Sequence, residues 1–179
     1  MELTPKQQKI KDNMSVETGF NNGNVFYMVA GLKDDQVGQL LEYLDEKEKR
    51  DGYCFVYLEI EKCKHGRTVK FNSHEKCYSE IADEISAMFQ NVIVYWNDCW
   101  DYEGTMLCSF NGGMIAPEKV CKVKLDEDNE SDDEDYFETT ATVTDIQTGS
   151  KFDIGGGYIY TDERDSILEL VRVTRKNVA

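Results

Sequence analysis

The sequence predicts an α+β chain in which helices cover one face of an antiparallel sheet. Two observations carry this. Short apolar runs of strand length alternate with stretches whose apolar residues recur at helical spacing. Near the middle, two runs rich in strand formers flank a Gly-containing turn. A third feature divides the chain: Asp126 to Glu138 holds nine acidic residues and no Lys or Arg.

Thr4-Pro5-Lys6-Gln7 has the signature of a helix start, with Thr4 as cap, Pro5 at the first helical position and Gln7 as capping-box partner. That helix is expected to fade near Asn13, before a polar loop from Gly19 to Asn24. Val25 to Ala30, ended by Gly31, suits a buried strand. Asp34 and Asp35 then place negative charge where a helix dipole favours it. Val37, Leu40, Leu41 and Leu44 follow at helical spacing, and Gly52 terminates the helix. Its outer face is expected to carry Glu42, Asp45, Glu46 and Glu48. Tyr53 to Ile60 and Thr68 to Phe71 read as a hairpin turning at Lys64-His65-Gly66. Tyr78, Ile81, Ala82, Ile85, Met88 and Phe89 share one face of another helix, and Val92 to Trp96 follows as a strand.

From Val25 to Trp96 the order is β-α-β-β-α-β, the split pattern of ferredoxin-like folds, which predicts a four-stranded antiparallel sheet with two covering helices. Tyr102 to Phe110 and Val120 to Leu125 read as added strands. Thr139 to Ile146 and Ser150 to Ile154 pair across Gln147-Thr148-Gly149. Gly155-Gly156-Gly157 reads as a bulge or bend, because a phosphate loop needs a following helix and Tyr158-Ile159-Tyr160 is strand-like. Ile167 to Val173 completes a meander that extends the main sheet or packs as a small lobe. The expected divisions are a core with its N-terminal helix at 1–125, a flexible acidic loop at 126–136 and C-terminal strands at 137–179.

Hydrophobic residues make up 40% of the 179 positions, enough for a core outside the acidic stretch. No segment approaches the roughly 18 consecutive apolar residues of a membrane span. Met1 to Lys6 shows no signal-peptide pattern, so a cytoplasmic protein with reduced cysteines is expected. Cys63, His65, His74 and Cys77 are a possible zinc or thiol-dependent site, if a hairpin tip and a helix start bring them together. The Cys-x-His spacing is tighter than usual for zinc, so the expectation is no metal, no cofactor and no enzymatic activity. Gly-x-Ser-x-Gly, Walker and His-Glu-x-x-His patterns are absent from the sequence.

The chain has 35 acidic and 20 basic residues, a net charge of −15; outside Asp126 to Glu138 the balance is 26 against 20. More than half of the net charge thus sits in thirteen positions, where mutual repulsion favours solvation. A surface of this sign repels nucleic acid and anionic membranes and suits a basic protein partner. Asp126, Glu127, Asp128, Glu130, Asp132, Asp133, Glu134 and Asp135 are the expected contacts. Trp96, Trp100 and Tyr102 are candidate aromatic anchors, unless a strand corner tucks the two tryptophans into the core.

A small, acidic, motif-poor chain of this kind, with the helix Ser79 to Gln90 running into the strand Val92 to Trp96, resembles the anti-defence inhibitors of phages and mobile elements. Anti-CRISPR proteins and DNA-mimicking anti-restriction proteins are examples. The resemblance implies a stoichiometric inhibitor that binds a Cas-type nuclease and blocks DNA binding or cleavage. The alternatives are a small zinc- or thiol-dependent enzyme and a ferredoxin-like module that self-associates through an exposed edge strand.

Overall fold

The computed structural model describes residues 1–16, 25–74, 79–100, 104–116, 120–125, 129–130 and 136–160. Its elements are α1 (Pro5–Met14), β1 (Val25–Leu32), α2 (Asp34–Asp51), β2 (Cys54–Cys63), β3 (Gly66–His74), α3 (Glu80–Met88), β4 (Ile93–Trp100) and β5 (Gly104–Asn111). There follow β6 (Met114–Ile115), β7 (Cys121–Leu125), β8 (Asn129–Glu130), β9 (Tyr136–Asp145) and β10 (Lys151–Tyr160). The expected α+β class is what the chain adopts. The loop at 19–24 and the strand expected at 167–173 lie outside the described residues.

A six-stranded sheet runs in the order β2-β3-β1-β4-β5-β6, with every neighbouring pair antiparallel. A second sheet runs β10-β9-β7, and β8 pairs with β9. Among the described residues, β9 and β10 therefore do not extend the main sheet. β7, expected to close the core region at 125, pairs with β9 and belongs with them.

The side-chain alternation of β1 shows how the layers are held. Tyr27 and Val29 join a core with Val37, Leu40, Leu41 and Leu44 of α2 and Ile81, Ala82 and Ile85 of α3. Met28 and Ala30 point the other way, into a second core with Ala141, Val143, Phe152 and Ile154. Helices, six-stranded sheet and second sheet thus form three layers. Phe152 locks the lower pair, its ring centroid 5.0 Å from that of Phe26 and 5.5 Å from that of Tyr95.

Local chemistry fixes the helix ends. Thr4 and Gln7 form the reciprocal capping box that opens α1. Gln7 also donates from Nε2 to Glu42 on α2 at 3.0 Å. Gly38 allows this approach, since a Cβ there would lie 2.5 Å from Gln7 Nε2. Gly52 takes the left-handed conformation (φ 69°) and donates to the Glu48 carbonyl, ending α2. Between β2 and β3, Gly66 sits at φ 139°, and a Cβ on it would come within 2.3 Å of the Leu32 carbonyl oxygen. The hairpin reaches the end of β1 only because that position is glycine.

Candidate functional site

The described residues of the acidic stretch, 129–130 and 136–138, lie in strands of the second sheet. β7 pairs with β9 from Cys121↔Asp145 to Leu125↔Ala141, and β8 continues alongside through Asn129↔Glu138 and Glu130↔Phe137. Glu130 therefore lies in a strand, while the rest of the loop expected at 126–136, apart from Asn129 and Tyr136, lies outside the described residues. Four of the expected contacts, Asp132, Asp133, Glu134 and Asp135, fall between Glu130 and Tyr136 in the sequence. Those four, with Asp126, Glu127 and Asp128, lie outside the described residues.

The opposite end of β9 is anchored by a buried polar network. Asp145 is 1% exposed, and its carboxylate accepts from Tyr95 Oη at 2.6 Å, Thr148 N at 2.7 Å and Thr148 Oγ1 at 2.6 Å. Burial, reinforced by the adjacent Asp145 carboxylate, pushes the Tyr95 phenol far above its ordinary value, so it remains a neutral donor. Thr148 Oγ1 lies 3.0 Å from Ser150 Oγ, which is 2.6 Å from Thr68 Oγ1 of β3. Three buried side chains of the β9–β10 turn region thus bind the second sheet to β3 and β4. β9 is ten residues long, which puts this anchor about 30 Å from the start of the strand at Tyr136.

The acidic face expected on α2 is largely occupied within the fold. Glu42 accepts from Gln7, Asp45 pairs with Lys49, and Glu48 accepts from the Phe55 N–H at 2.8 Å. Burial pushes the Glu48 carboxyl above its ordinary value despite that hydrogen bond. Of the four, only Glu46 is exposed. On the other side of α2, Lys47 reaches Glu84 of α3 at 2.7 Å, and Tyr43 Oη donates to the same carboxylate at 2.6 Å. Partial burial alone would raise the Glu84 pKa; the hydrogen bonds from Lys47 and Tyr43 outweigh it and lower it. This group ties α2 to α3.

Trp96 is 5% exposed, packed in the core beneath the helices, and its Nε1 has no hydrogen-bond partner among the described residues. Its ring offers almost no surface to a partner, as the strand-corner alternative expects. Trp100 ends β4, but its side chain and all of Tyr102 lie outside the described residues.

The zinc arrangement requires correction. Cys63 and His65 flank the β2–β3 turn, whereas His74 is the last residue of β3, paired with Cys54, and not at a helix start. Nine residues of strand from Gly66 to His74 separate the two ends by about 26 Å. The geometry that would join Cys63 and His65 to His74 around one ion is absent, and Cys77 lies outside the described residues. Among the described residues no group of three or more His, Cys, Asp or Glu is placed to hold a metal ion.

A cleft of about 520 Å³ is the feature that the sequence did not indicate. It is lined by Gly31 of β1, Lys33 between β1 and α2, Gln36 of α2, and His65 of the hairpin turn. Met88 at the end of α3, Gln90 and Asn91 after it, and Gln147 of the β9–β10 turn complete it. Gln36 Oε1 accepts from the Lys33 N–H at 2.8 Å, which fixes the start of α2. Four separate segments of the chain supply the wall, so no local motif announces it.

No protein-family model, curated protein or solved structure matches this chain. Among the described residues no helix is long and apolar enough to cross a membrane.

Proposed function

We propose that this protein is a non-enzymatic, acidic binding protein that inhibits a nucleic-acid enzyme, of the CRISPR-Cas nuclease kind, by occupying its basic surface in the cytoplasm. The observation that carries the reading is the concentration of nine acidic residues in thirteen positions of a chain whose net charge is −15. Thirteen extended residues reach about 43 Å. The carboxylates then come no sparser than about one per 5 Å, close to the roughly 3.4 Å spacing of phosphates along one DNA strand. We assign the unit from β1 to β4 to the ferredoxin-like class; its strand order β2-β3-β1-β4, antiparallel throughout, supports that assignment.

The experiment is competition. Purified Cas nuclease loaded with guide is given labelled target DNA and increasing amounts of this protein, at low and at moderate salt. Loss of DNA binding at low salt, weaker at moderate salt, is the expected result. DNA binding that persists at a large excess of protein at both salts, across several such nucleases, would contradict the reading.

A further inference from the structure

We propose that the cleft between β1, α2, the β2–β3 turn and the β9–β10 turn binds a small organic phosphate carrying a planar hydrogen-bonding ring, of nucleoside-monophosphate size. Its volume of about 520 Å³ lies within the roughly 300–1,000 Å³ usual for small-molecule sites. Among the described residues, no carboxylate side chain lines this cleft. Among the described residues, the only charged or titratable side chains in its wall are Lys33 and His65, both exposed and both able to donate to a phosphate.

The remaining polar wall is made of amides. Gln36, Gln90, Asn91 and Gln147 each carry a donor and an acceptor, the combination that the polar edge of a nucleobase requires. Met88 is 44% exposed at the cleft and offers a polarizable thioether to a flat ring. Asp34, next to Lys33 in the chain, is partly neutralised by Arg67 Nε at 2.9 Å and by the Met1 amino group at 3.2 Å. Asp35 remains exposed at the start of α2 but does not line the cleft. The walls are firm, because the turn bearing Gln147 is fixed by the Asp145–Thr148 hydrogen bonds and by Lys64 N–H donating to the Thr148 carbonyl at 3.4 Å.

The test is a titration of the full chain with adenosine monophosphate at constant ionic strength, followed through the NMR signals of the His65 imidazole and the Met88 methyl. Both signals should shift and saturate below about 1 mM, with adenosine at least ~10-fold weaker. Lys33→Ala should weaken the monophosphate by at least ~10-fold, and Gln147→Ala should weaken monophosphate and adenosine alike. Lys33 is exposed and its side chain makes no ion pair among the described residues, so the fold should be intact; circular dichroism checks this. Unmoved His65 and Met88 signals, or unchanged affinity in Lys33→Ala, would overturn the proposal. Inorganic phosphate binding as tightly as the nucleotide would also overturn it, leaving only a non-specific anion contact. None of these outcomes bears on the acidic stretch, because the residues lining the cleft all lie outside it.

Discussion

Replacing Asp145 by Ala should cost about 3 kcal/mol of stability, a figure that follows from the three donors it satisfies. Its carboxylate is 1% exposed and accepts from Tyr95 Oη, Thr148 N and Thr148 Oγ1, all at 2.6–2.7 Å. Hydrogen bonds to a charged acceptor contribute roughly 1.5–3 kcal/mol each, so a simple sum would exceed about 5 kcal/mol. Two donors keep a second acceptor, however. Tyr95 Oη is also 3.0 Å from the Val120 carbonyl, and Thr148 Oγ1 is 3.0 Å from Ser150 Oγ. Only the Thr148 N–H loses its acceptor outright, which brings the expected cost down to about 3 kcal/mol. Urea denaturation at pH 7 measures it. Tyr95→Phe should cost less, about 1 kcal/mol, and the double variant should lose less than the sum of the two. A loss below about 1 kcal/mol for Asp145→Ala would refute the view that this network secures the second sheet.

Gly66→Ala should destabilise by at least about 2 kcal/mol, because its Cβ meets the Leu32 carbonyl oxygen at 2.3 Å and its φ is 139°. A thermal melt unchanged from wild type would contradict this. Burial raises the Glu48 carboxyl above 4.5, so its contribution is fully present below about pH 4.5 and is lost as pH rises through the folded value. Glu48→Gln keeps an acceptor for the Phe55 N–H, and should flatten this part of the pH profile and leave the melting temperature at pH 7 unchanged or higher. A lower one would argue against the stated cause. Under native conditions the exposed Cys54 should react with a thiol reagent before Cys108, whose thiol burial pushes up, and before buried Cys121; mass mapping of early adducts checks the order.

What was legible in the sequence is what local chemistry decides. The Thr4–Gln7 capping box, the Gly52 stop and the β9–β10 pairing across Gln147-Thr148-Gly149 each depend on neighbours in the chain. The third layer was only half written there. The unbroken apolar run of β1 arises because Tyr27 and Val29 face the helices while Met28 and Ala30 face the second sheet. Such a run signals burial on both sides but does not say what covers the second. Two partners of the acidic face of α2, Gln7 and Phe55, come from other elements, so the helix sequence does not show them. His74 misled for a similar reason: a polar residue at a strand end is held by pairing with Cys54, a contact between two strands. The cleft was invisible because four separate segments line it.

The most direct test of the acidic-binding account compares the wild-type chain with a variant carrying Asp132→Asn, Asp133→Asn, Glu134→Gln and Asp135→Asn, as inhibitors of DNA binding by a Cas nuclease at two salt concentrations. The account predicts at least ~10-fold weaker inhibition by the variant at low salt, and a gap that narrows as salt rises. Equal inhibition by the two proteins at both salts would contradict it.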